Sequence, residues 1–242
     1  MKRRNLLKFF PIVMVCLCAE ISFSQVNSQS LNGAWKFEAG DGEQVLVFQD
    51  GYFSQTSYNE SKKEFNYTRG GKVVIMPGKL QVKFEFNSAD KDEVGTSAEV
   101  PVILSAGKLV THFDGVKQEW KKIDDGAKNL AGCWRINGRW DGKEMHPIKE
   151  APRKTLKLLS ATRFQWFAIN TETKEFFGTG GGTYTLNDGK YVENIDFFSR
   201  DNSRVGAKLS FDAEVYGDIW HHSGLSSKND PIKETWIRYK AN

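Results

Sequence analysis

Short stretches of alternating apolar and polar residues follow one another along most of the chain. The clearest covers residues 79–86, KLQVKFEF, in which every second residue is apolar. Such a period of two is typical of a β-strand with one buried and one solvated face. In the first half of the chain this pattern predicts strands at residues 44–48, 52–58, 64–68, 72–76, 79–86, 98–104, 109–113 and 119–123.

The predicted strands are separated by short turn signals, and no long amphipathic helix pattern interrupts them. The turn signals are pairs of residues that favour tight turns, namely Asp41-Gly42, Asp50-Gly51, Gly70-Gly71, Pro77-Gly78 and Asp114-Gly115. Short strands at this spacing, joined by tight turns, are typical of antiparallel barrels and sandwiches. We therefore expect an all-β protein.

An internal repeat divides the chain into two domains. Residues 53–86 align without gaps onto residues 164–197, with 11 identities over 34 positions. The opening Leu31-Asn-Gly-Ala-Trp35 recurs as Leu130-Ala-Gly-Cys-Trp134, but at an offset of 99 instead of 111. Twelve residues are therefore inserted in the second copy, at about residues 138–153. Internal repeats of this kind predict tandem domains, here residues 31–123 and 130–242 with a linker at 124–129.

Each copy opens with Gly-x-Trp and closes with a strand that carries a tryptophan and basic residues, Trp120 and Lys122 in the first copy, Trp236 and Arg238 in the second. This combination resembles the lipocalin or calycin superfamily, and the tandem is similar to lipocalin-like secreted bacterial proteins of unassigned function. The resemblance implies two antiparallel β-barrels, with small β-sandwiches as the alternative. It also implies that each opening tryptophan stacks on a basic residue of the last strand, Trp134 on Arg238 and Trp35 on Lys122 or Lys121.

The N-terminal residues have the pattern of a secretory signal peptide. Three basic residues precede a short apolar run, and Ser22-Phe23-Ser24 supplies small residues for cleavage before Gln25. We expect residues 1–24 to be removed, residues 25–30 to form a polar tether, and the protein to reach the periplasm, the outer surface or the medium. A membrane anchor is the alternative, but the apolar run is short and interrupted for a span.

Export changes both the cysteine content and the net charge. Cleavage removes Cys16 and Cys18, so that Cys133 alone remains and no intramolecular disulfide is possible. The formal charge of the whole chain is +4, and most of it lies in the signal. A nearly neutral mature chain argues against nucleic acid as a partner, and no membrane span is expected after cleavage.

The two copies differ on the face predicted to point inward. Residues 80, 82, 84 and 86 are apolar, whereas their counterparts are Tyr191, Glu193, Ile195 and Phe197; Val73 is likewise replaced by Tyr184. A carboxylate inside a barrel is costly unless it is paired. Glu193 therefore contacts a ligand, pairs with an interior arginine such as Arg163 or Arg204, or faces outward because the strand is turned the other way here.

Other polar and aromatic residues in the second copy are placed to join Glu193. The insertion carries Trp140 and His146 and is expected to form a rim or lid. His221 and His222 are adjacent in a predicted strand, so at most one faces inward. The candidate ligand-binding residues are Glu193, Tyr191, Tyr184, His221, His222, Glu234, Trp140, Trp166 and His146.

The sequence favours a passive binding function for the second barrel. An aromatic cup with a few polar groups suits a small, partly apolar ligand. Two alternatives remain, an interaction or structural module with filled barrels and an acid–base enzyme that uses Glu193 and a histidine. No cofactor or metal is expected, because the histidine spacing does not suit chelation from a strand. The glycine-rich run at residues 178–183 is interpreted as a turn between strands, and Cys133 as a core residue.

Overall fold

The computed structural model describes residues 26–40, 42–105, 107–226 and 228–240. The predicted signal peptide lies outside the described residues. Within these ranges, no helix is both long and apolar enough to cross a membrane.

The first domain is a closed antiparallel barrel of eight strands in chain order. Strand β8 pairs with β1 and so closes the sheet on itself. The strands are β1 (Gly33–Ala39), β2 (Gly42–Gln49), β3 (Tyr52–Asn59), β4 (Glu64–Met76), β5 (Lys79–Asn87), β6 (Ser97–Ser105), β7 (Lys108–Phe113) and β8 (Val116–Asp124).

The second domain repeats this barrel with one additional strand. Strand β17 pairs with β9 and closes the barrel, while β10, which belongs to the insertion, pairs with β9 alone. The strands are β9 (Gly132–Trp140), β10 (Met145–Pro147), β11 (Arg153–Leu159), β12 (Arg163–Asn170), β13 (Glu175–Asn187), β14 (Lys190–Phe198), β15 (Lys208–Tyr216), β16 (Ile219–Leu225) and β17 (Pro231–Arg238). The all-β prediction is confirmed, and two tandem barrels of this kind fit a lipocalin-like fold; the sandwich alternative is wrong.

The glycine pairs that were expected to form turns lie inside long strands instead. Strand β4 continues through Gly70-Gly71, and β13 continues through Gly181-Gly182. Each pair forms a β-bulge, at which the register with the next strand shifts. A Cβ atom at Gly71 or Gly182 would lie 2.0 Å from a carbonyl oxygen of that strand. The glycines thus allow a strand of 13 residues to bend around the barrel.

The closed end of each barrel is built around its opening tryptophan. Trp35 Nε1 donates to Leu31 O and Trp134 Nε1 donates to Leu130 O, both at 2.9 Å. Lys122 Nζ lies 4.8 Å from the Trp35 ring centroid, and the Arg238 guanidinium carbon lies 4.4 Å from that of Trp134. Both stacking pairs expected from the sequence are therefore present.

The segment expected to be a polar tether takes part in the first barrel. Residues Ser28–Leu31 form a one-turn helix, α1, whose N-cap is Asn27. Leu31 is fully buried in the core of the first barrel, and Val26 packs against the same core. The apolar residues at both ends of the segment therefore anchor it against the barrel floor.

A third apolar core lies between the two barrels and joins them. It is formed by outward-facing side chains of both barrels, with Phe86 and Phe197 among its buried members. The ring centroids of Phe86 and Phe176 are 6.3 Å apart, and those of Phe197 and Phe65 are 6.1 Å apart. These two contacts are equivalent under the repeat alignment, so the barrels pack as a pseudo-symmetric pair.

The linker carboxylate Asp124 connects the barrels by hydrogen bonds. It accepts from the backbone of Ala34 in the first barrel and of Ala161 and Thr162 in the second, at 3.0–3.3 Å. The Ser160 hydroxyl also donates to it at 2.8 Å. Burial opposes ionisation, but the hydroxyls of Thr162 and Ser160 and the backbone N–H groups of Ala161 and Gly126 together hold the pKa of Asp124 below its usual value.

Candidate functional site

The second barrel contains an open cavity of about 490 Å³, here called the cup. The cup opens at the end of the barrel away from Trp134, where Arg139, Arg153 and Ile232 lie on β9, β11 and β17. Its volume falls within the range of about 300–1,000 Å³ that is usual for small-molecule sites.

A buried ion pair lies in the cup wall. Lys157 Nζ on β11 lies 2.8 Å from Glu193 Oε1 on β14, and the two side chains are only 7% and 5% exposed. Lys157 Nζ also lies over four aromatic rings, at 5.1–5.9 Å from their centroids: Tyr191, Phe211, Trp220 and Trp236. The ammonium is therefore compensated both by a carboxylate and by ring faces.

The same two positions are aliphatic in the first barrel. The repeat alignment places Leu46 opposite Lys157 and Val82 opposite Glu193. Leu46 and Val82 are fully buried in the first barrel's core. The first barrel thus has two aliphatic side chains at the positions where the second barrel has an ion pair, although both share one fold.

A second polar group stands beside the ion pair. Glu234 Oε1 accepts from Arg139 Nη2 at 2.9 Å, and Glu234 Oε2 accepts from Trp236 Nε1 at 3.2 Å. His222 Nδ1 lies 3.6 Å from Glu234 Oε2. Burial would raise the pKa of Glu234, but His222, Lys157 and Arg139 outweigh it and lower that pKa to about 2. Burial and the nearby Lys157 charge lower the pKa of His222.

Two buried polar atoms around the cup, His222 Nε2 and Trp220 Nε1, lack a hydrogen-bond partner among the described residues. His222 Nδ1 faces Glu234 Oε2 at 3.6 Å, and the Tyr191 hydroxyl faces the Glu193 carboxylate. His222 lines the cup and is only 2% exposed. Buried polar groups are nearly always hydrogen-bonded, so His222 is placed to bind a polar atom inside the cup.

The upper wall of the cup is aromatic and apolar, and its rim is basic. Trp166 and Phe198 pack edge to face at 5.5 Å, and both line the cup together with Ile195. Arg153 at the rim stacks on Phe177, with its guanidinium carbon 4.1 Å from the ring centroid. An apolar body and a polar or anionic group are the ligand features that such a surface matches.

In the first barrel the corresponding entrance is filled by protein side chains. The Arg69 guanidinium carbon lies 5.0 Å from the Phe113 ring centroid, and Arg69 Nε donates to Gln55 Oε1 at 3.0 Å. Arg69 also pairs with Glu93 at 3.3 Å and with Asp114 at 2.8 Å. The position equivalent to Arg69 in the second barrel is Gly180.

Five of the nine candidate residues do not line the cup, and four of these five lie away from it. His221 is exposed and points away from it, as the alternation of a strand requires for the neighbour of His222. Tyr184 is buried, but its hydroxyl donates to Ser160 O at 2.7 Å, and it packs in the barrel core. Trp140 and His146 are exposed on the insertion hairpin, where His146 Nε2 lies 2.7 Å from Asp141 Oδ2.

The remaining candidates are brought together. Glu193, His222, Glu234 and Trp166 line the cup, and Tyr191 lies next to it beneath the Lys157 ammonium. The expectation that Glu193 pairs with Arg163 or Arg204 is wrong, since Arg163 pairs with Asp196 at 2.8 Å and Arg204 with Asp201 at 3.0 Å. The sequence reasoning missed Lys157, although the alignment of Lys157 with Leu46 carries the signal.

Neither a metal site nor a reactive cysteine is found among the described residues. No three His, Cys, Asp or Glu side chains there converge to hold a metal ion. Cys133 is buried in the core between the barrels, and burial raises its thiol pKa well above the ordinary value. A thiol in that state is a poor nucleophile.

One family model matches the chain, and its range coincides with the second barrel. The family is described as a domain of unknown function (DUF4488), and the match covers residues 129–242. No curated protein is similar enough to the chain to count as a match. The family model therefore covers the barrel that contains the cup.

Proposed function

We propose that this chain is an exported, calycin-type binding protein whose second barrel holds a small, partly apolar molecule in the cup. The observation that carries the proposal is the contrast between two copies of one barrel. In the first, Arg69 and its partners occupy the region equivalent to the cup, and the cavity of about 310 Å³ lies beside α1 instead. The second has a cavity of about 490 Å³ lined by buried polar groups.

The polar groups assign roles within this proposal. His222, whose Nε2 has no partner among the described residues, hydrogen-bonds the ligand's polar atom. The Lys157–Glu193 pair holds the wall in a charged but compensated state, and Trp166 and Phe198 pack against the ligand's apolar part. Aromatic surface and a few fixed polar groups together supply affinity and orientation.

The two alternative functions have weaker support. A filled-barrel interaction module does not account for the cup. Acid–base catalysis by Glu193 and a histidine is disfavoured because Glu193 is tied to Lys157, while the carboxylate next to His222 is Glu234, with a pKa of about 2. A carboxylate with so low a pKa is a weak base at neutral pH.

A neutral fluorescent probe tests the proposal. N-phenyl-1-naphthylamine, which is apolar and uncharged, should bind the wild-type chain at one site with a rise in fluorescence. Ala168→Trp places a large ring in the cup and should abolish that binding. Ala127→Trp, on the exposed linker, is the matched control and should leave binding unchanged. Equal binding by both variants would rule out the cup as the site.

Export is proposed from the N-terminal sequence and has its own test. Expressed in its source cells, the mature protein should begin at Gln25 when its N-terminus is sequenced. A mature protein that retains Lys2–Arg4 would contradict this part of the proposal.

A further inference from the structure

The wall of the second barrel is split where the insertion enters. Strands β9 and β11 pair over only four positions, from Gly132↔Leu159 to Arg135↔Leu156. In the first barrel the equivalent strands β1 and β2 pair over seven positions, as far as Ala39↔Gly42. Beyond Arg135, β9 therefore pairs with β10 instead and separates from β11.

A groove of about 200 Å³ lies in this split. Eight residues line it, and five of them are cationic whereas none is acidic: Arg135, Arg139, Lys149, Arg153 and Lys154, with Ile136, Ile148 and Thr155. The segment that follows β10 forms one side, held by a hydrogen bond from Ile148 N to Asn137 O at 2.7 Å.

Three of these five cations have no carboxylate partner within the described ranges. Arg139 pairs with Glu234, and Lys154 pairs with Glu85 at 2.8 Å. Arg135 is only 6% exposed, yet its Nη1 donates to two backbone carbonyls, Ile136 O and Ile148 O, and not to an acid. Lys149 and Arg153 are exposed and likewise make no ion pair among the described residues.

The groove adjoins the cup. Arg139, Arg153 and Thr155 line both spaces. The groove thus lies in the barrel wall next to the cup's basic rim, where one ligand is able to contact both.

We propose that this groove is an anion-binding subsite, which holds the acidic group of an amphiphilic ligand whose apolar part occupies the cup. The inference deepens the proposed function and rests on it for the apolar part. The acidic group is a carboxylate, a sulfate or a phosphate, all of which accept the forked hydrogen bonds of arginine.

Electrostatics favours an occupant of this charge. Arg135, Lys149 and Arg153, the three cations of the groove that lack a carboxylate partner among the described residues, repel one another. A buried guanidinium without a counterion also loses hydration. A bound anion relieves both effects at once. Burial of the apolar part in the cup then adds affinity without any further charge.

A matched pair of probes isolates the anionic group. N-phenyl-1-naphthylamine and 8-anilinonaphthalene-1-sulfonate share one aromatic skeleton and differ by the sulfonate. The sulfonate should bind the wild-type chain about tenfold more tightly than the neutral probe, as expected for one charge-assisted contact. This advantage should shrink as ionic strength rises.

Charge variants then locate the contact. Lys149→Glu reverses an exposed charge that lines the groove but not the cup, and should remove the sulfonate's advantage while leaving the neutral probe's affinity unchanged. Lys128→Gln/Lys143→Gln removes two exposed positive charges outside the groove and should keep the advantage. Equal affinity for the two probes in the wild type, or an advantage that survives in the groove variant, overturns the subsite.

The proposal that the cup binds a ligand and the proposal that the groove binds an anion are tested separately. If the neutral probe does not bind, the proposed function fails, and inorganic phosphate alone decides on the groove. Phosphate should shift the Nε–Hε resonances of Arg135 and Arg153 in a ¹H–¹⁵N NMR spectrum, and the absence of any shift overturns the subsite.

Displacement of the sulfonate probe by decanoate or by decyl phosphate identifies the acidic group that the groove prefers. If neither acid displaces the probe better than the uncharged decanol does, the ligand has no anionic headgroup and the subsite is overturned.

Discussion

Lys157 and Glu193 are the residues at which the second barrel departs most from its sibling. Each replaces an aliphatic side chain of the first barrel, and neither charge is stable there without the other. Each charge therefore offsets the cost of burying the other. Together they make the wall of the cup polar.

Removing one member of the pair should be far more harmful than removing both. Glu193→Val leaves the Lys157 ammonium buried without its carboxylate and should lower the free energy of unfolding by about 3–5 kcal/mol. Lys157→Leu/Glu193→Val reproduces the pair of the first barrel and should recover most of that loss. Urea unfolding of the three proteins measures both effects, and a double variant no more stable than Glu193→Val would refute the coupling.

His222 should make stability dependent on pH. Its pKa is lowered in the folded protein, so the stability it contributes is complete above its ordinary pKa of about 6.5 and is lost as the pH falls below that value. The wild type should therefore lose more stability than His222→Gln between pH 7 and pH 5. Asp196, whose pKa is raised to about 6, acts in the opposite direction in both proteins. Urea unfolding at both pH values measures the two losses, and an equal loss of stability in the wild type and in His222→Gln would contradict the prediction.

The polar residues of the cup are predictable from strand alternation and the repeat. Glu193, His222 and Glu234 were found because inward positions are expected to be apolar, and these are not. Lys157 was missed because its strand, KTLKLL, does not alternate clearly from residue to residue. Which acid pairs with which base depends on the relative positions of strands distant in sequence, which no local pattern specifies.

At the scale of elements, the bulges in β4 and β13 determine how each barrel closes. Each bulge lies at a Gly-Gly pair where the register with the following strand shifts. A strand of 13 residues without such a bend would extend past the barrel rather than around it.

Substitution at the bulge should be much more costly than at a hairpin turn. Gly182→Ala forces a Cβ to within 2.0 Å of Asn194 O and should destabilise the protein by several kcal/mol. At Gly217 a Cβ would meet no described atom within 4 Å, although φ is +59°, so Gly217→Ala should cost about 1 kcal/mol. Thermal unfolding of both variants checks the ranking, and equal losses would contradict the role of the bulge.

Most strands could be predicted from the sequence, but how they bend and pair could not. Strands appeared where apolar and polar residues alternate, and closely matched the observed ones. The glycine pairs were misread as turns, because glycine promotes both tight turns and bulges, and long-range pairing decides between them. The split between β9 and β11 was likewise invisible, although the insertion that causes it was found from the change of offset.

At the scale of the whole molecule, the barrels share a core and should unfold together. Phe86 stacks on Phe167 with centroids 4.4 Å apart, and Phe197 packs on Tyr58 at 4.8 Å. Phe86→Ala or Phe197→Ala should therefore lower stability by about 3–5 kcal/mol. Differential scanning calorimetry should show one transition for the wild type.

The exposed residue Val74 provides the control for this interface, since Val74→Ala should change stability little. Two separate transitions in the wild type, or interface variants as stable as Val74→Ala, would show that the barrels are independent.

The central claim is that the second barrel holds a small molecule in its cup, and native mass spectrometry of protein purified from its source cells tests it most directly. We predict an added small-molecule mass on the wild type that is lost on denaturation, is retained in Ala127→Trp and is absent from Ala168→Trp. The same added mass on Ala168→Trp, or a bare mass for the wild type, would contradict the claim.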